Sequence, residues 1–288
     1  MLALIAYTIF ADDISIIIRN RNYNQLIECF LLIFEALLKW LSANKLFLNF
    51  SKTHIIEFHS QTTQNVPFHF EINNETINSV LTTKFLGVHL DYDLRWDSHL
   101  NILIKQLNSS TYALRRLSAL SSQEALLMAY HGLFESKIQY GIIFWGYSNQ
   151  DTINRLFRTQ KRALRIVWGL KHDDSCRELF RSSGILTLVS LLVYHTIIFV
   201  FKNKSDFSTL DHNYSTRQKQ NLVPNKFRLT LFRNSLFYYG PKFFNCLPNH
   251  IKSLTSIASL KRQLRDFLSE RAFYSLQEAL DEPVPWGQ

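Results

Sequence analysis

The sequence predicts an α+β protein in which a small antiparallel part precedes a mostly helical part. Near the start, two apolar runs rich in β-branched residues, 5–11 and 14–18, flank a pair of aspartates. Such runs are typical of strands. Over residues 22–44 the apolar side chains instead recur with the 3.6-residue period of a helix, and that period returns after Trp96. Strand patterns therefore come first, and helical patterns dominate the rest.

Asp12 and Asp13 lie where the two apolar runs meet. Asp suits a tight turn, so the sequence predicts a β-hairpin with both carboxylates exposed at its tip. Adjacent carboxylates repel each other and are best accommodated in water or on a cation. Mg²⁺ prefers such hard oxygen ligands and takes one or two carboxylates together with substrate phosphates. The alternative for the pair considered alone is an ordinary solvated turn.

The helix predicted over residues 22–44 is expected to lie behind this hairpin. Asn22 and Gln25 have the spacing of a capping-box-like start. Beyond it the sequence predicts strands at 46–48 and 54–58, followed by a polar loop at 61–65. Two further strands, at 68–72 and 76–79, are predicted around a turn at Asn73-Asn74. A last strand is predicted at 85–90. In the last strand, Gly87 either permits a close backbone approach or marks a bulge.

Helical periodicity governs the chain from Trp96 onward. A hydrophobic hinge with two glycines is predicted at 140–147. Residues 202–226 are expected to be the least structured stretch, and the tail from Asp281 is predicted to be disordered. His99 has no His or Cys near it in sequence, which favours a packed or capping histidine over a metal ligand. Helices are predicted at residues 96–114, 126–134, 154–170, 177–180, 186–201 and 257–268.

Positive charge is concentrated in the second half of the chain. Residues 155–265 carry 20 Lys and Arg against 5 Asp and Glu, a charge of +15, whereas the remainder carries 12 against 18, or −6. A basic half beside an acidic part suits a polyanionic partner, and a solvated basic surface is the alternative. The aromatic cluster at 237–244 either stacks on single strands or belongs to the core. The candidate nucleic-acid-binding residues are Arg155, Arg158, Lys161, Arg162, Arg165, Lys261, Arg262 and Arg265.

Composition also bounds the compartment. Cys29, Cys176 and Cys246 have no metal-like spacing and indicate buried thiols in a reducing compartment. Residues 1–10 lack the basic leader of a secretory signal. The apolar stretch at 185–201 falls short of the roughly 20 residues that a membrane span needs, which favours a buried core helix. The sequence therefore predicts an intracellular protein of the nucleus or cytoplasm that is not secreted and does not bind a membrane.

Four motifs in order resemble the reverse transcriptases of non-LTR, LINE-type retrotransposons. Phe10-Ala11-Asp12-Asp13 resembles the palm motif, residues 46–53 the lysine motif after the palm helix, residues 84–91 the primer-grip strand, and residues 93–100 the start of the thumb. The resemblance covers nearly the whole chain. It continues through Tyr140-Gly141, Trp145-Gly146, Gln160-Lys161-Arg162, Thr216-Arg217, Gly240-Pro241-Lys242 and Leu247-Pro248.

The resemblance implies a two-metal nucleotidyl-transfer site in the complete enzyme. Asp12 and Asp13 would hold Mg²⁺ there, and Lys52 would assist the incoming triphosphate, an exposed loop lysine being the alternative. The implied partners are an RNA template, a DNA primer or target and deoxynucleoside triphosphates, and the sequence points to no protein partner. The primer end would be held by Phe85, Leu86 and Gly87.

The resemblance also implies three domains: a C-terminal part of the palm at 1–92, a helical thumb at 93–146, and a basic, mostly helical region at 147–288. In the family a further metal-binding aspartate and the fingers precede the palm motif by many residues, whereas nine residues precede Phe10 here. The chain is therefore expected to be the C-terminal portion of a polymerase, inactive alone, whether as a fragment, a degenerate copy or a domesticated protein. The alternatives are a non-catalytic RNA- or DNA-binding protein and an inactive structural remnant.

Overall fold

The computed structural model describes residues 4–59, 68–72, 75–208, 221–223 and 229–281. Within these residues the protein is mixed α+β and mostly helical, with three small antiparallel strand pairs, as the sequence predicts. The chain divides into two compact units, Met1–Leu81 and Thr82–Gln288. Several predicted features lie outside the described residues: the loop at 61–65, the turn at Asn73-Asn74, Thr216-Arg217, most of 202–226 and the tail after Asp281.

The first unit begins with the predicted hairpin. Phe10 at the end of the first strand pairs with Asp13 at the start of the second. The following helix contacts the second strand, as predicted, and its Asn22 side chain accepts a hydrogen bond from the Gln25 amide. The elements of this unit are β1 (Leu4–Phe10), β2 (Asp13–Arg19), α1 (Tyr23–Ala43), β3 (His69–Ile72) and β4 (Glu75–Asn78).

Aromatic rings join α1 to the β3–β4 pair. The Phe30 ring meets Phe68 and Phe70 edge-on at centroid distances of 5.4 Å, and Phe34 meets Phe70 at 5.1 Å. Edge-to-face geometry is a favourable arrangement for aromatic pairs. The small core of this unit therefore lies between α1 and the second hairpin.

The strands predicted at 46–48 and 54–58 are wrong. A single 3₁₀ turn forms at Phe50–Lys52 because the Asn49 side chain accepts a hydrogen bond from the Lys52 amide, and such local bonds compete with strand pairing. Within the described residues, the rest of this segment contributes one isolated bridge, between Ile55 and Ser79.

The strand predicted at 85–90 is also wrong, because the chain reverses direction within it. The second unit opens with β5 (Thr82–Phe85) and β6 (Val88–Asp91), an antiparallel pair. Leu86 and Gly87 form the connecting turn with φ angles of +44° and +83°. Two-residue hairpin turns require this left-handed backbone, which glycine adopts at little cost. Gly87 is therefore a turn residue and not a bulge.

Helices make up most of the rest of the second unit. All of those predicted from the periodicity are present, whereas the helices at Leu236–Asn245, Asn249–Lys252 and Leu276–Asp281 were not predicted. The helix predicted at 126–134 runs on through a π-helical turn, His131–Glu135. The described helices are α2 (Asp97–Ser118), α3 (Gln123–Tyr130), α4 (Ser136–Gln139), α5 (Ile142–Trp145), α6 (Gln150–Trp168), α7 (Arg177–Ser183), α8 (Leu188–Lys202), α9 (Thr230–Arg233), α10 (Leu236–Asn245), α11 (Asn249–Lys252), α12 (Ile257–Arg271) and α13 (Leu276–Asp281).

One hydrophobic core extends over residues 100–279. It is therefore shared by the stretches predicted to be thumb and C-terminal region, and the domain boundaries at 92/93 and 146/147 stay predictions. The predicted hinge at 140–147 is wrong, because Trp145 and Tyr147 are buried in this core. His99 is the packed histidine that the sequence favours, buried with its ring near Trp96 and Trp145.

Helix α8 lies inside this core, as the sequence predicts for 185–201. Helix α10 passes close to it: a Cβ on Gly240 would lie 2.8 Å from Val200. The lack of a side chain at Gly240 therefore lets the two helices approach. Among the described residues no single helix is long and apolar enough to cross a membrane, while the bent pair α7 and α8 meets that test together on length and composition only.

Candidate functional site: an acidic hairpin tip and a basic helical surface

The acidic pair lies at the tip of the β1–β2 hairpin. Ala11 and Asp12 form the turn, Asp13 begins β2, and both carboxylates are exposed as predicted. Ala11 has a φ of +53°, a conformation that is uncommon for a residue with a Cβ. Backbone outliers of this kind cost on the order of 1–3 kcal/mol and cluster at functional sites. The turn therefore presents the two aspartates at some cost in backbone strain.

The hairpin tip offers part of a Mg²⁺ coordination shell. Mg²⁺ keeps several waters and is typically held by one or two carboxylates plus phosphates, and Asp12 with Asp13 fits that donor set. Over the described residues, no three His, Cys, Asp or Glu side chains are close enough to hold a metal together. Substrate phosphates or another carboxylate would have to complete a site here.

The β1 strand exposes an unusual amount of apolar surface. Tyr7 is 75% exposed, and Ile5, Ile9 and Phe10 are each about half exposed or more. Among the described residues, β1 pairs with β2 alone, and an isolated two-stranded hairpin is at best marginally stable in water. Contiguous exposed apolar surface of this kind marks an interaction site.

Lys52 ends the 3₁₀ turn of the first unit, and its side chain is exposed. The Asn49 side chain fixes this turn by accepting hydrogen bonds from the Lys52 amide and from the Ser51 hydroxyl. An exposed ammonium on a fixed turn is available to a phosphate. The same geometry also fits an ordinary surface lysine, so the role of Lys52 stays a prediction.

In the second unit, Tyr140 holds the turn at Leu86-Gly87. Its hydroxyl donates a hydrogen bond to the Leu86 carbonyl, and a Cβ on Gly87 would lie 3.2 Å from the Tyr140 ring. Tyr140 and Phe144 remain more than half exposed, and Trp96 stacks on Phe144. The predicted primer-grip residues therefore sit beside an exposed aromatic shelf, which the sequence signalled only through the motif Tyr140-Gly141.

The five basic residues predicted on α6 occupy two environments. Arg155, Arg158 and Arg162 are exposed. Lys161 is half-buried, with its ammonium 4.9 Å from the centre of the Phe157 ring and 5.4 Å from that of Tyr274. Three of the five are therefore available to a polyanion without disturbing the packing.

Arg165 belongs to the second of these environments. Its Nε and Nη2 donate to the Asp174 carbonyl at 3.0 and 2.9 Å, and its side chain is half-buried. The nearby Cys176 thiol is buried, and this burial raises its pKa. Arg165 therefore serves the structure of the α6–α7 connection.

The basic residues of α12 divide in a similar way. Lys261 and Arg262 are exposed, whereas Arg265 is half-buried. Arg265 lies near Tyr194, whose pKa is raised by burial, an effect that the guanidinium partly offsets. Lys261 and Arg262 therefore extend the exposed basic surface, and Arg265 contributes to the boundary of the core.

The aromatic cluster at 237–244 serves mainly as core. Phe243 and Phe244 are buried, which confirms the core alternative for them. Lys242 donates to the Tyr238 hydroxyl at 2.6 Å and lies 3.9 Å from the centre of its ring, and Lys242 lowers the pKa of this tyrosine. Phe237, at 42% exposed, is the member of the cluster most open to solvent.

The sequence missed one basic contribution to this surface. A polar groove of about 170 Å³ runs between α2 and α6. Arg115 of α2 and Arg162 of α6 both line it, together with Asn108, Thr111 and Tyr112 of α2. The i, i+4 and i+7 spacing of Asn108, Tyr112 and Arg115 was a readable signal for a shared helix face, but it did not name the partner helix.

Comparison with protein-family models, with curated proteins and with solved structures gives no match for this chain. A function therefore has to be inferred from three features: the acidic hairpin tip, the turn at Leu86-Gly87 that Tyr140 holds, and the exposed basic residues.

Proposed function

We propose that this chain forms the late palm, thumb and basic C-terminal region of a non-LTR retrotransposon reverse transcriptase, and that it binds nucleic acid. The observation that carries the proposal is the exposed Asp12-Asp13 pair at the tip of an antiparallel hairpin with a helix against its second strand. The lysine turn and the β5–β6 hairpin follow in the order that the resemblance requires. The proposal is supported by the order of these motifs along the chain and not by any one of them alone.

In the complete enzyme, Asp12 and Asp13 would hold the catalytic cations at the hairpin tip. Bound there, Mg²⁺ would supply charge stabilisation for the transferring phosphoryl group and activation of the attacking hydroxyl. Lys52 neutralises negative charge on the incoming triphosphate. The turn at Leu86-Gly87 holds the primer end, and Tyr140 acts on it as a positioning residue through its hydrogen bond to the Leu86 carbonyl.

The second unit supplies most of the affinity for nucleic acid. Arg155, Arg158 and Arg162 of α6, with Lys261 and Arg262 of α12, are the exposed members of the predicted set. Contacts of Lys and Arg with phosphates release counterions and produce salt-dependent binding without base information. This binding does not require the hairpin carboxylates.

A second candidate is a nucleic-acid-binding protein without catalysis. Two observations favour it. Among the described residues no third ligand accompanies Asp12 and Asp13, and the second unit has a continuous core. The two candidates agree on nucleic-acid binding and differ on whether the hairpin tip holds a cation.

Paramagnetic broadening by Mn²⁺, a substitute for Mg²⁺, separates the two. NMR spectra are recorded with a primer–template and a deoxynucleoside triphosphate present, because phosphates complete the proposed coordination. We expect the amides of residues 10–14 to broaden, and the effect to disappear in Asp12→Asn/Asp13→Asn. The control variant Asp206→Asn removes an exposed carboxylate elsewhere and should leave the broadening intact. Broadening that survives the double substitution would remove the catalytic assignment and leave the second candidate.

A further inference from the structure

The groove between α2 and α6 has the size and lining of a site for a small anionic group. Its volume of about 170 Å³ is more than ten times the roughly 10–15 Å³ that a single water needs. Two guanidinium groups, a carboxamide, a threonine and a tyrosine line it, and none of these five described residues carries a carboxylate. The groove therefore carries two positive charges without a carboxylate and is large enough for a phosphodiester.

The guanidinium groups of Arg115 and Arg162 are uncommitted. Both are exposed, and across the described part of the chain neither guanidinium group has an ion pair or a hydrogen bond. By contrast, Arg165 donates to a carbonyl, and Arg177 and Arg181 pair with Glu278 and Glu178. Two like charges facing one groove without a counter-charge favour an anion between them, and the planar guanidinium fork matches phosphate oxygens.

Tyr112 adds a platform for a base beside the two arginines. It is 64% exposed and shares the groove with Asn108 and Arg115. Bases of single-stranded nucleic acids stack on exposed aromatic rings, whereas bases within a duplex are not available for this contact. The Asn108 carboxamide can donate to a sugar or phosphate oxygen.

We propose that this groove binds one nucleotide unit of a single strand, with its phosphodiester between Arg115 and Arg162 and its base stacked on Tyr112. The inference rests on the proposed nucleic-acid binding and makes it specific: the strand crosses α2 as well as α6. The groove carries no base-selective contact beyond stacking, so it accepts RNA and single-stranded DNA alike.

The test is a fluorescence-anisotropy titration of a short labelled oligouridylate by the whole chain at several salt concentrations. Each phosphate contact contributes about −0.7 to the log–log salt slope for single strands. Because both guanidinium groups meet the same phosphodiester, Arg115→Gln/Arg162→Gln should flatten the slope by about 0.7. The matched control Arg116→Gln/Lys171→Gln removes the same charge from exposed positions that do not line the groove and should change the slope by less than half as much.

Substitutions of Tyr112 test the stacking contact. Tyr112→Ala should weaken oligouridylate binding about tenfold while leaving duplex binding within twofold, and Tyr112→Phe should restore the wild-type affinity. In the wild-type chain, ultraviolet cross-linking of a 4-thiouridine-labelled strand should label the peptide that contains residues 108–115. This second measurement does not depend on any variant folding.

The possible failures differ. If the wild-type chain binds oligouridylate with the expected salt dependence but the groove pair behaves like its control, the groove assignment is wrong and the proposed function stands. Cross-links confined to other peptides would also overturn the groove assignment. If the wild-type chain shows no salt-dependent binding at all, the proposed nucleic-acid binding fails, and the groove inference fails with it.

Discussion

The two compact units bury their apolar side chains to very different extents. In the described part of Met1–Leu81, the buried apolar residues are Phe34, Leu41 and Ile77, while Tyr7, Phe47 and others lie open to solvent. In Thr82–Gln288 a single core includes large side chains such as Trp145 and Phe134, which are fully buried. The candidate metal ligands therefore lie on the weakly packed unit, and the basic surface lies on the well-packed one.

This contrast teaches that binding and catalysis place different demands on the fold. Phosphate contacts from exposed arginines tolerate small displacements, whereas a metal site needs its ligands held in a fixed geometry. A unit with little core of its own holds its hairpin less firmly, and its exposed apolar strand calls for a covering surface.

The largest effect concerns catalysis. We expect the 288-residue chain alone to show no primer extension on an RNA template with Mg²⁺, because Asp12 and Asp13 lack a third ligand among the described residues. Metal catalysis supplies several kcal/mol of transition-state stabilisation, so an incomplete site should leave no measurable product. Extension by the wild-type chain that is lost in Asp12→Ala would contradict this prediction.

The next effect concerns the stability of the two units. Phe134→Ala removes a fully buried ring from the second unit and should lower its free energy of unfolding by about 3–5 kcal/mol. Phe47→Ala makes the same change at a side chain that is 96% exposed in the first unit, and should cost less than about 0.5 kcal/mol. Urea unfolding followed by tryptophan fluorescence measures both, and equal costs would refute the contrast between the units.

Charge reversal on α6 should give a smaller but specific effect. Arg155→Glu/Arg158→Glu/Arg162→Glu removes three exposed charges and should flatten the salt slope of RNA binding by about 2, at about 0.7 per phosphate contact. Fluorescence anisotropy on several RNA sequences should show the same loss for each of them, since phosphate contacts carry no base information.

The control for this experiment reverses the half-buried pair. Lys161→Glu/Arg165→Glu breaks the contacts with Tyr274 and with the Asp174 carbonyl, so it should lower the melting temperature measured by circular dichroism, which the exposed triple reversal should not do. Unchanged RNA binding in the exposed variant would mean that this face of α6 is only a solvated surface.

A pH dependence should appear in the second unit. Burial lowers the pKa of His99, with His89 adding to this effect and Asp91 opposing it, and both ring nitrogens lack a hydrogen-bond partner among the described residues. The neutral ring is therefore favoured in the folded protein. The stability it contributes is intact above about pH 6.5, the ordinary histidine pKa, and is lost as the pH falls below it.

The measurement compares urea midpoints at pH 7 and pH 5 for the wild-type chain and for His99→Phe. For one histidine the slope below pH 6.5 is at most about 1.4 kcal/mol per pH unit, and the variant should lose that part of it. A wild-type slope that His99→Phe leaves unchanged would assign the pH dependence to other groups.

The smallest effect concerns the strained hairpin turn. Ala11→Gly relieves a positive φ and should stabilise the β1–β2 hairpin by about 1 kcal/mol. Hydrogen exchange of the hairpin amides should slow by about fivefold, which is the same free energy expressed as an opening constant. Leu86→Gly is the matched change in the other hairpin, since Leu86 also has a positive φ. Faster exchange in Ala11→Gly would show that the turn is not strained.

Much of the fold is readable from local pattern. The β1–β2 hairpin follows from β-branched runs around an Asp turn, and α1, α2 and α6 follow from their apolar period. The turn at Leu86-Gly87 was missed because a leucine at positive φ gives no turn signal. The strand predicted at 54–58 failed because its apolar side chains do not specify a pairing partner.

The candidate site was predictable only in its chemistry. The identity and exposure of Asp12 and Asp13 follow from neighbouring residues, as does the basic face of α6. The difference in exposure between Arg162 and Arg165 does not follow from neighbouring residues. It depends on which element packs against each side of α6. Arg115 joins Arg162 only through the packing of two helices that lie far apart in sequence, and no periodicity contains that information.

The exposed strand β1 has a further consequence for how this protein behaves at different concentrations. Within the described residues, its outer edge presents backbone N–H and C=O groups that no strand pairs, next to exposed apolar side chains. Such an edge is a template on which another chain can add a strand. Self-association by edge-to-edge pairing therefore competes with any native cover for β1. The outcome would then depend on the protein concentration and on whether a covering partner or a second copy of the chain reaches β1 first. The chain would either stay dispersed or form aggregates linked by paired strands.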